Sequence, residues 1–216
     1  MPIQPPHLPE TLEPAGDFAA RAAAAREETG NLSDLSVRGA ALAGADFGRL
    51  TLSGIRFEAC RLTGCVFDRC ALRDVRFDGC DISNCTFVRA NLTRCEFEAS
   101  KGVGANFSES RLHDVTFRGG GFRYAIFGGA HLHAVLIQES DFGAAEFTDC
   151  KPGRLEFDRA DFTGAAFYRT PLSGVDFTSS TLSELGVTAS GGELKGAVVT
   201  LQQAAELASL LGVIIR

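Results

Sequence analysis

The chain has 216 residues, which suffices for one domain with small appendages, and its formal net charge is −6 at neutral pH. No stretch approaches the run of about 18 apolar residues that a membrane span needs, and no basic segment followed by an apolar run marks a secretory signal. We therefore expect a cytoplasmic protein with no membrane partner. The negative charge argues against direct binding of nucleic acid and favours partners with basic surfaces.

Residues 1–16 are the proline-rich part of the chain. They contain five of its seven prolines, at Pro2, Pro5, Pro6, Pro9 and Pro14. Proline lacks a backbone N–H group and restricts its own φ angle, so this composition disfavours a helix or an internal strand. We predict a mobile arm here.

Residues 17–30 are predicted to form an N-terminal capping helix. Asp17 is a suitable N-cap for an alanine-rich helix that runs from Phe18 to about Glu28, and Gly30 is a suitable stop. The repeats that follow have an apolar core, and a polar helix would cover its open end.

Residues 31–189 carry one apolar residue at every fifth position, from Leu32 to Val187. Leu, Phe, Ile or Val occupies 30 of the 32 positions, and the two exceptions are Gly102 and Pro152. Sixteen of the 17 phenylalanines fall on this pattern, and Phe18 is the one outside it. A period of five fits neither an α-helix nor a flat β-strand.

A second column, two residues before the first, holds small or aliphatic residues. Its bulkier members recur every 20 residues: Leu35, Ile55, Val75, Cys95, Val115, Val135, Leu155 and Val175. A period of 20 over a period of five predicts a solenoid with four faces per turn. We number these faces by a central residue of each, with Leu52 on face 1, Phe57 on face 2, Leu62 on face 3 and Phe67 on face 4.

Four pentapeptides carry a recognisable signature. Ala45-Asp46-Phe47, Ala90-Asn91-Leu92, Ala105-Asn106-Phe107 and Ala160-Asp161-Phe162 match the pattern A(D/N)(L/F)XX. The chain thereby resembles the pentapeptide-repeat proteins over about three quarters of its length. The resemblance implies an all-β solenoid, a right-handed quadrilateral β-helix, here with about eight coils of about 4.8 Å each.

All the cysteines lie in the column of small residues: Cys60, Cys65, Cys70, Cys80, Cys85, Cys95 and Cys150. A zinc site and a disulfide between stacked residues such as Cys60 and Cys80 both deserve consideration. However, consecutive pentapeptides lie on different faces with phenylalanines between them, and a reducing cytoplasm disfavours disulfides. We interpret these residues as small buried side chains and predict no metal and no cofactor.

The histidines suggest a polar column on face 1. His113 and His133 are 20 residues apart and should stack, and Arg111, His131 and Lys151 should form the neighbouring column. This group is either a surface metal or anion site or a solvated polar surface, and the second is the simpler interpretation. No P-loop, dinucleotide fingerprint or metalloprotease motif is present, so we predict no enzymatic activity and no catalytic residues.

Residues 190–216 are predicted to form a C-terminal dimerisation module. Thr200 and Gln203 form a capping box that opens a helix, and Gly212 ends it. The helix is more apolar than a cap requires. The predicted interface consists of Leu201, Ala204, Ala205, Leu207, Ala208, Leu210, Leu211, Val213 and Ile215. The alternative is a helix that only caps its own solenoid.

The segment Gly196-Ala-Val-Val-Thr-Leu-Gln-Gln-Ala204 resembles the C-terminal module of the quinolone-resistance group, the Qnr and MfpA types. In that group the helix joins two subunits tail to tail, so the resemblance implies a homodimer. It also implies a DNA mimic that binds a type II topoisomerase, chiefly DNA gyrase, and protects it from quinolones or a natural poison. A rigid rod that carries carboxylates can occupy a groove built for phosphates.

Such a mimic should be acidic, and only face 2 clearly is. Its acidic residues, the candidate DNA-mimic wall, are Glu58, Asp78, Glu96, Glu98, Glu139, Glu156, Asp158 and Asp176. Face 2 sums to −3, face 1 to +2, and residues 30–189 as a whole to only −3. The five-residue count has no insertion, which makes the chain more similar to the loopless MfpA type. A scaffold for another protein partner therefore remains open as the alternative.

Overall fold

The computed structural model describes residues 2–210 and 212–214. In chain order the elements are β1 (Glu13–Pro14), α1 (Phe18–Glu28), β2 (Asn31–Ser33), β3 (Leu35–Arg38), β4 (Thr51–Glu58), β5 (Ala71–Asp78), β6 (Asn91–Glu98), β7 (Arg111–Arg118), β8 (His131–Gln138), β9 (Lys151–Pro152), β10 (Leu155–Asp158), a 3-10 helix (Gly192–Leu194) and α2 (Leu201–Leu210). The strands form one parallel sheet, in which each strand of the repeat pairs with the strand one turn later.

The register of this sheet is 20 residues. Leu52 lies beside Leu72, and Phe57 beside Phe77. Faces 1 and 2 contain the strands β2–β10, of which β4–β8 have eight residues each, whereas faces 3 and 4 are held by single bridges such as Arg61–Asp81 and Asp46–Val66. The predicted solenoid is confirmed, with about seven turns in place of the eight coils expected: the chain is a parallel β-solenoid with a helix at each end.

The corners between faces have left-handed backbone. In one turn they are Arg49, Gly54, Ala59 and Gly64, with φ between 50° and 69°. The corner lies two residues after each central apolar residue, and there the chain changes direction. Non-glycine residues disfavour this conformation, so hydrogen bonds to the next turn must compensate, as in Arg49 N to Asp68 O at 2.9 Å.

Two phenylalanine ladders fill the interior. On face 2 the rings of Phe77 and Phe97 stack with centroids 4.9 Å apart, and on face 4 Phe87 and Phe107 stack at 4.7 Å. Across the interior, Phe87 and Phe97 meet edge to face at 6.1 Å. Offset-stacked and edge-to-face contacts are the favourable aromatic geometries, so the core gains energy both along and across the solenoid.

At Gly102, where the apolar pattern is interrupted, a large side chain of the next turn fills the space of the missing one. A Cβ atom on Gly102 would lie 2.5 Å from Cε1 of Phe122, the next residue of the same column. The ring of Phe122 thus uses the space that a side chain at position 102 would fill. The ladder between the turns is intact at this position, because Gly102 N donates to Gly121 O at 2.8 Å.

The break at Pro152 also leaves the register unchanged. Pro152 lies beside Leu132, and Gly153 N donates to Leu132 O at 2.8 Å. The 20-residue register continues to the bridge between Ala166 and Gly186. The prediction of a repeat without inserted loops is confirmed.

Helix α1 closes the N-terminal end of the core. Asp17 accepts a hydrogen bond from Ala20 N at 3.0 Å, as an N-cap does, and Gly30 with φ of 70° ends the helix. Phe18 is 1% exposed, and its ring lies 5.4 Å from that of Phe47 and 5.2 Å from that of Phe57. The predicted helix is confirmed. Phe18, the phenylalanine outside the five-residue pattern, is the side chain with which this helix covers the end of the core.

The proline-rich segment requires a correction, because it lies along the solenoid. His7 N donates to Asp74 Oδ1 at 2.9 Å and Gln4 N to Asp114 Oδ1 at 3.3 Å, which are two turns apart. Strand β1 then pairs with β3. An extended proline-rich chain leaves its amides without internal partners, and the corner between faces 1 and 2 offers carboxylates to them.

Asp74 is the main anchor of this arm. It is 7% exposed and forms a bidentate pair with Arg94, with both distances 2.6 Å. Burial opposes its ionisation, but the hydrogen bonds from Arg94 and from the His7 amide outweigh burial and lower the pKa of Asp74. The stabilisation is therefore present at neutral pH and is lost as the pH falls through this lowered pKa.

The C-terminal end is closed by α2. The predicted capping box is confirmed, because Gln203 N donates to Thr200 Oγ1 at 3.2 Å and Thr200 N to Gln203 Oε1 at 2.8 Å. The amide of Gln203 also donates to Phe177 O at 2.8 Å and to Ser180 O at 2.7 Å. These carbonyls belong to the last pass of the solenoid, so α2 satisfies main-chain acceptors that a further turn would otherwise take.

Candidate partner-binding surfaces

The predicted acidic wall of face 2 is a ladder of ion pairs. The sheet aligns Glu58, Asp78 and Glu98 in one column. Arg56 lies 2.8 Å from Asp78 and Arg76 lies 3.2 Å from Glu96. Seven of the eight predicted residues have an arginine within ion-pair distance: Glu58, Asp78, Glu96, Glu98, Glu139, Glu156 and Asp158.

Asp176 is the eighth residue of the wall and has no ion pair within the described chain. It accepts hydrogen bonds from the Thr178 amide at 2.8 Å and the Thr178 hydroxyl at 2.7 Å, which lower its pKa. Because arginines alternate with the other carboxylates, face 2 presents little open negative charge. Summing charges by face in the sequence does not reveal this, since it ignores which side chains meet.

Most of the net negative charge lies instead in the C-terminal third of the chain. Residues 139–216 contain 11 acidic and six basic residues, a net −5, whereas residues 1–138 have a net −1. No charged residue lies between Arg123 and Glu139, so the two parts are well separated. Glu146 and Glu184 are exposed there and form no ion pair with any described residue. The sequence shows this difference when charges are summed by segment of the chain and not by face of the solenoid.

The exposed apolar surface lies next to this acidic third. Leu201 is 90% exposed and Ile214 82%, and Leu210 and Val213 are also exposed. Of the predicted interface, Ala204 is exposed and Ala205 and Ala208 are half-buried, while Leu211 and Ile215 lie outside the described residues. Ile214 is exposed but was not part of the predicted interface, which included its neighbours Val213 and Ile215.

Leu207 requires a correction. It is 8% exposed and belongs to the core of its own chain. The reason is the orientation of α2, which turns Gln203 and Leu207 toward the last pass of the solenoid and Leu201 away from it. Leu207 therefore closes the monomer and is not part of a free interface.

Face 1 has the predicted histidine columns. The rings of His113 and His133 stack at 4.7 Å with an interplanar angle of 9°, and Arg111, His131 and Lys151 lie on successive strands. His113 Nε2 is 3.4 Å from Asp114 Oδ2. Within residues 2–210 and 212–214, no three His, Cys, Asp or Glu side chains are arranged to hold a metal ion.

The cysteines are bound into the core. Six of the seven thiols donate to carbonyls of the preceding turn, as in Cys65 Sγ to Leu42 O at 2.7 Å and Cys70 Sγ to Phe47 O at 2.8 Å. Burial raises the pKa of Cys70, Cys95 and Cys150 to about 12. Buried thiols with a raised pKa are poor nucleophiles and poor metal ligands, so the role of these three cysteines is packing.

Comparison with known proteins agrees with this architecture. Residues 31–101 and 74–147 match the sequence profile of the pentapeptide repeat region, and residues 154–184 match that of eight-copy pentapeptide repeats. The chain belongs to the pentapeptide-repeat family. No curated protein has significant sequence similarity to it. No helix in the described part of the chain has the length and apolar character needed to cross a membrane.

Two solved pentapeptide-repeat structures are similar in fold. HetL, involved in heterocyst differentiation regulation in the cyanobacterium Nostoc, has a TM-score of 0.62 at 21% identity, over 85% of this chain and 93% of HetL. QnrB1, a plasmid-mediated fluoroquinolone resistance protein, in a trypsin-treated form has a TM-score of 0.52 at 20% identity, over 86% of this chain and 98% of QnrB1. At these identities the similarity concerns the fold.

Proposed function

We propose that this protein is a non-enzymatic DNA mimic that binds a type II topoisomerase, DNA gyrase in particular, and protects it from quinolones or a natural gyrase poison. The observation that carries the proposal is the net −5 of residues 139–216, which lies next to the exposed apolar surface of α2. The similarity in fold to a fluoroquinolone resistance protein supports it.

Because one end of each solenoid is more acidic than the other, dimerisation through that end would give a rod with an acidic centre. Joining two copies through Leu201, Leu210 and Ile214 buries the exposed apolar surface and brings the two acidic thirds together, with a combined charge of twice −5. At the β-sheet spacing of about 4.8 Å per turn, two solenoids of about seven turns each give a double rod about 65–70 Å long. A groove that binds duplex DNA is positively charged and elongated, so it complements such a rod.

The dimer has a direct test. We expect the double variant Leu201→Arg, Leu210→Arg to be monomeric by multi-angle light scattering at concentrations where the parent chain is dimeric. The β-sheet circular dichroism should persist, because both side chains are exposed in the monomer. Tyr124→Arg, on an exposed side position, is the control and should remain dimeric. An unchanged dimer mass in the double variant would place the interface elsewhere.

The function is tested with gyrase supercoiling assays, with and without ciprofloxacin. The parent protein should inhibit supercoiling, or protect it from the drug, at micromolar concentrations. The triple variant Glu146→Gln, Glu184→Gln, Glu206→Gln should be weaker by about tenfold or more, because long-range charge governs docking in a cationic groove.

A matched control is available at the other end of the rod. The variant Glu10→Gln, Glu27→Gln, Glu28→Gln removes the same three charges from exposed positions and should act like the parent. If the parent neither inhibits nor protects gyrase, the topoisomerase proposal is wrong. Equal weakening in both triple variants would show that net charge alone, and not the acidic third, is responsible.

The second candidate is a scaffold for a different protein partner. The ion-pair ladder of face 2 favours it, because alternating charges suit a complementary protein surface better than they imitate a row of phosphates. The supercoiling assay separates the two candidates, since a scaffold of this kind has no effect on gyrase.

A further inference from the structure

Two columns on the solenoid have the same arrangement of cations but a different residue between them. On face 3, Arg61, Asp81 and Lys101 lie on successive turns. On face 1, Arg111, His131 and Lys151 do so. Each column thus places an arginine and a lysine two turns apart, with their Cα atoms about 9.6 Å apart at the β-sheet spacing.

The face 3 column has its own counter-charge. Burial opposes the ionisation of Asp81, but hydrogen bonds from Ser83 and the charges of Lys101 and Arg61 outweigh burial and lower its pKa. The negative charge of the Asp81 carboxylate therefore offsets part of the positive charge of Arg61 and Lys101. This column shows what the arrangement looks like when the chain supplies the anion itself.

The face 1 column has no such counter-charge. Arg111 and Lys151 are exposed and have no ion pair or side-chain hydrogen bond with any described residue. The two nearest corner carboxylates are already engaged: Glu109 is bound by Arg89 at 2.8 Å and Asp149 by Arg169 at 2.5 Å. His131 takes the place of Asp81, so the position between the cations carries a ring N–H that can donate a hydrogen bond, and no carboxylate.

The surface beside this column is concave. Gly129 occupies the corner between Glu109 and Asp149, where other turns carry Arg69, Arg89 or Arg169. The missing side chain leaves a groove lined by Arg89, Glu109, Arg111, Gly129, His131 and Lys151. Unpaired donors and the groove thus coincide at one place on the rod.

We propose that this groove binds a ligand with two or more linked phosphates, held between Arg111 and Lys151 over His131. Arginine, lysine and histidine together offer more donors than one carboxylate can accept, whereas a phosphate has three terminal oxygens. Single-stranded nucleic acid usually also requires exposed aromatic rings for base stacking, and the ring that lines this groove is that of His131. Two cations are few for duplex DNA, since a protein that binds it can make about 6–10 phosphate contacts.

The test is isothermal titration calorimetry at low salt with inorganic tripolyphosphate and, separately, with ATP. The variant Arg111→Gln, Lys151→Gln should bind either probe at least about tenfold more weakly, because it loses both charge-assisted contacts. The matched variant Arg61→Gln, Lys101→Gln removes the same charges from face 3 and should bind as the parent does. Equal affinity for both probes assigns the site to the phosphate chain, and tighter binding of ATP assigns it to a nucleotide.

A single substitution tests whether the absence of a carboxylate between Arg111 and Lys151 is what allows phosphate to bind. His131→Asp copies the Arg61–Asp81–Lys101 arrangement, so the chain should fold normally by thermal melting while phosphate binding falls at least about tenfold. Three results would overturn the proposal: no binding of tripolyphosphate by the parent at millimolar concentration, equal loss in the face 3 variant, or a hexaglutamate peptide that competes as well as tripolyphosphate. The last result would identify the site as one for an acidic protein segment.

Discussion

Replacing Phe18 with alanine should lower the free energy of unfolding by about 3–5 kcal/mol, the range typical of a large aromatic removed from a core. Phe18 is 1% exposed and is the only phenylalanine outside the repeat. It contacts the first rings of both ladders, Phe47 and Phe57, so its loss opens the apolar end of the solenoid to water. Urea unfolding followed by circular dichroism measures the change.

The control for this prediction is Tyr124→Ala. Tyr124 is 57% exposed on the side of the rod, so its removal should change the free energy of unfolding by no more than about 0.5 kcal/mol. In a solenoid each turn contacts only its neighbours, so amide exchange in Phe18→Ala should rise most in β3 and β4 and least in β8. If the two variants are equally stable, α1 does not serve as a cap.

Replacing Gly102 with leucine should destabilise the protein by about 1–3 kcal/mol or more, even though leucine is a residue typical of that position in the repeat. The reason is the ring of Phe122, which lies 2.5 Å from where the first atom of the new side chain would be. Thermal melting of the single variant measures the effect.

The compensating change is Phe122→Leu. The double variant Gly102→Leu, Phe122→Leu gives face 3 an aliphatic column that continues from Ile82 through both substituted positions, and it should recover most of the lost stability. A double-mutant cycle measures this coupling. If the two changes are simply additive, the volumes at positions 102 and 122 are independent and the packing argument is wrong.

The five-residue pattern predicted the fold because, in a solenoid with a regular repeat, the number of a residue determines its face and its neighbours in the adjacent turns. In-register parallel stacking places each residue beside the one 20 later, so Phe77 must meet Phe97 and His113 must meet His133. The two end helices could also be predicted, since Asp17, Gly30, Thr200 and Gln203 act through hydrogen bonds within a few residues. Local chemistry of that kind is visible in any sequence.

Other features depended on contacts between columns or between distant segments. The proline-rich arm follows the solenoid because Asp74 and Asp114, 67 and 110 residues away from their partners, accept its amides. No periodicity encodes such a contact. The orientation of α2, which buries Leu207 and exposes Leu201, was likewise decided by the carbonyls to which Gln203 donates.

The candidate functional surfaces divide in the same way. The sequence by itself determined that face 2 carries the most acidic residues and that face 1 aligns Arg111, His131 and Lys151, because both follow from position in the repeat. Only the tertiary structure decided that most carboxylates of face 2 are paired with arginines and that Arg111 and Lys151 of face 1 have no ion pair with a described residue. The physical reason is that ion pairing depends on the reach and direction of long side chains across neighbouring turns, whereas the repeat specifies only where each side chain begins.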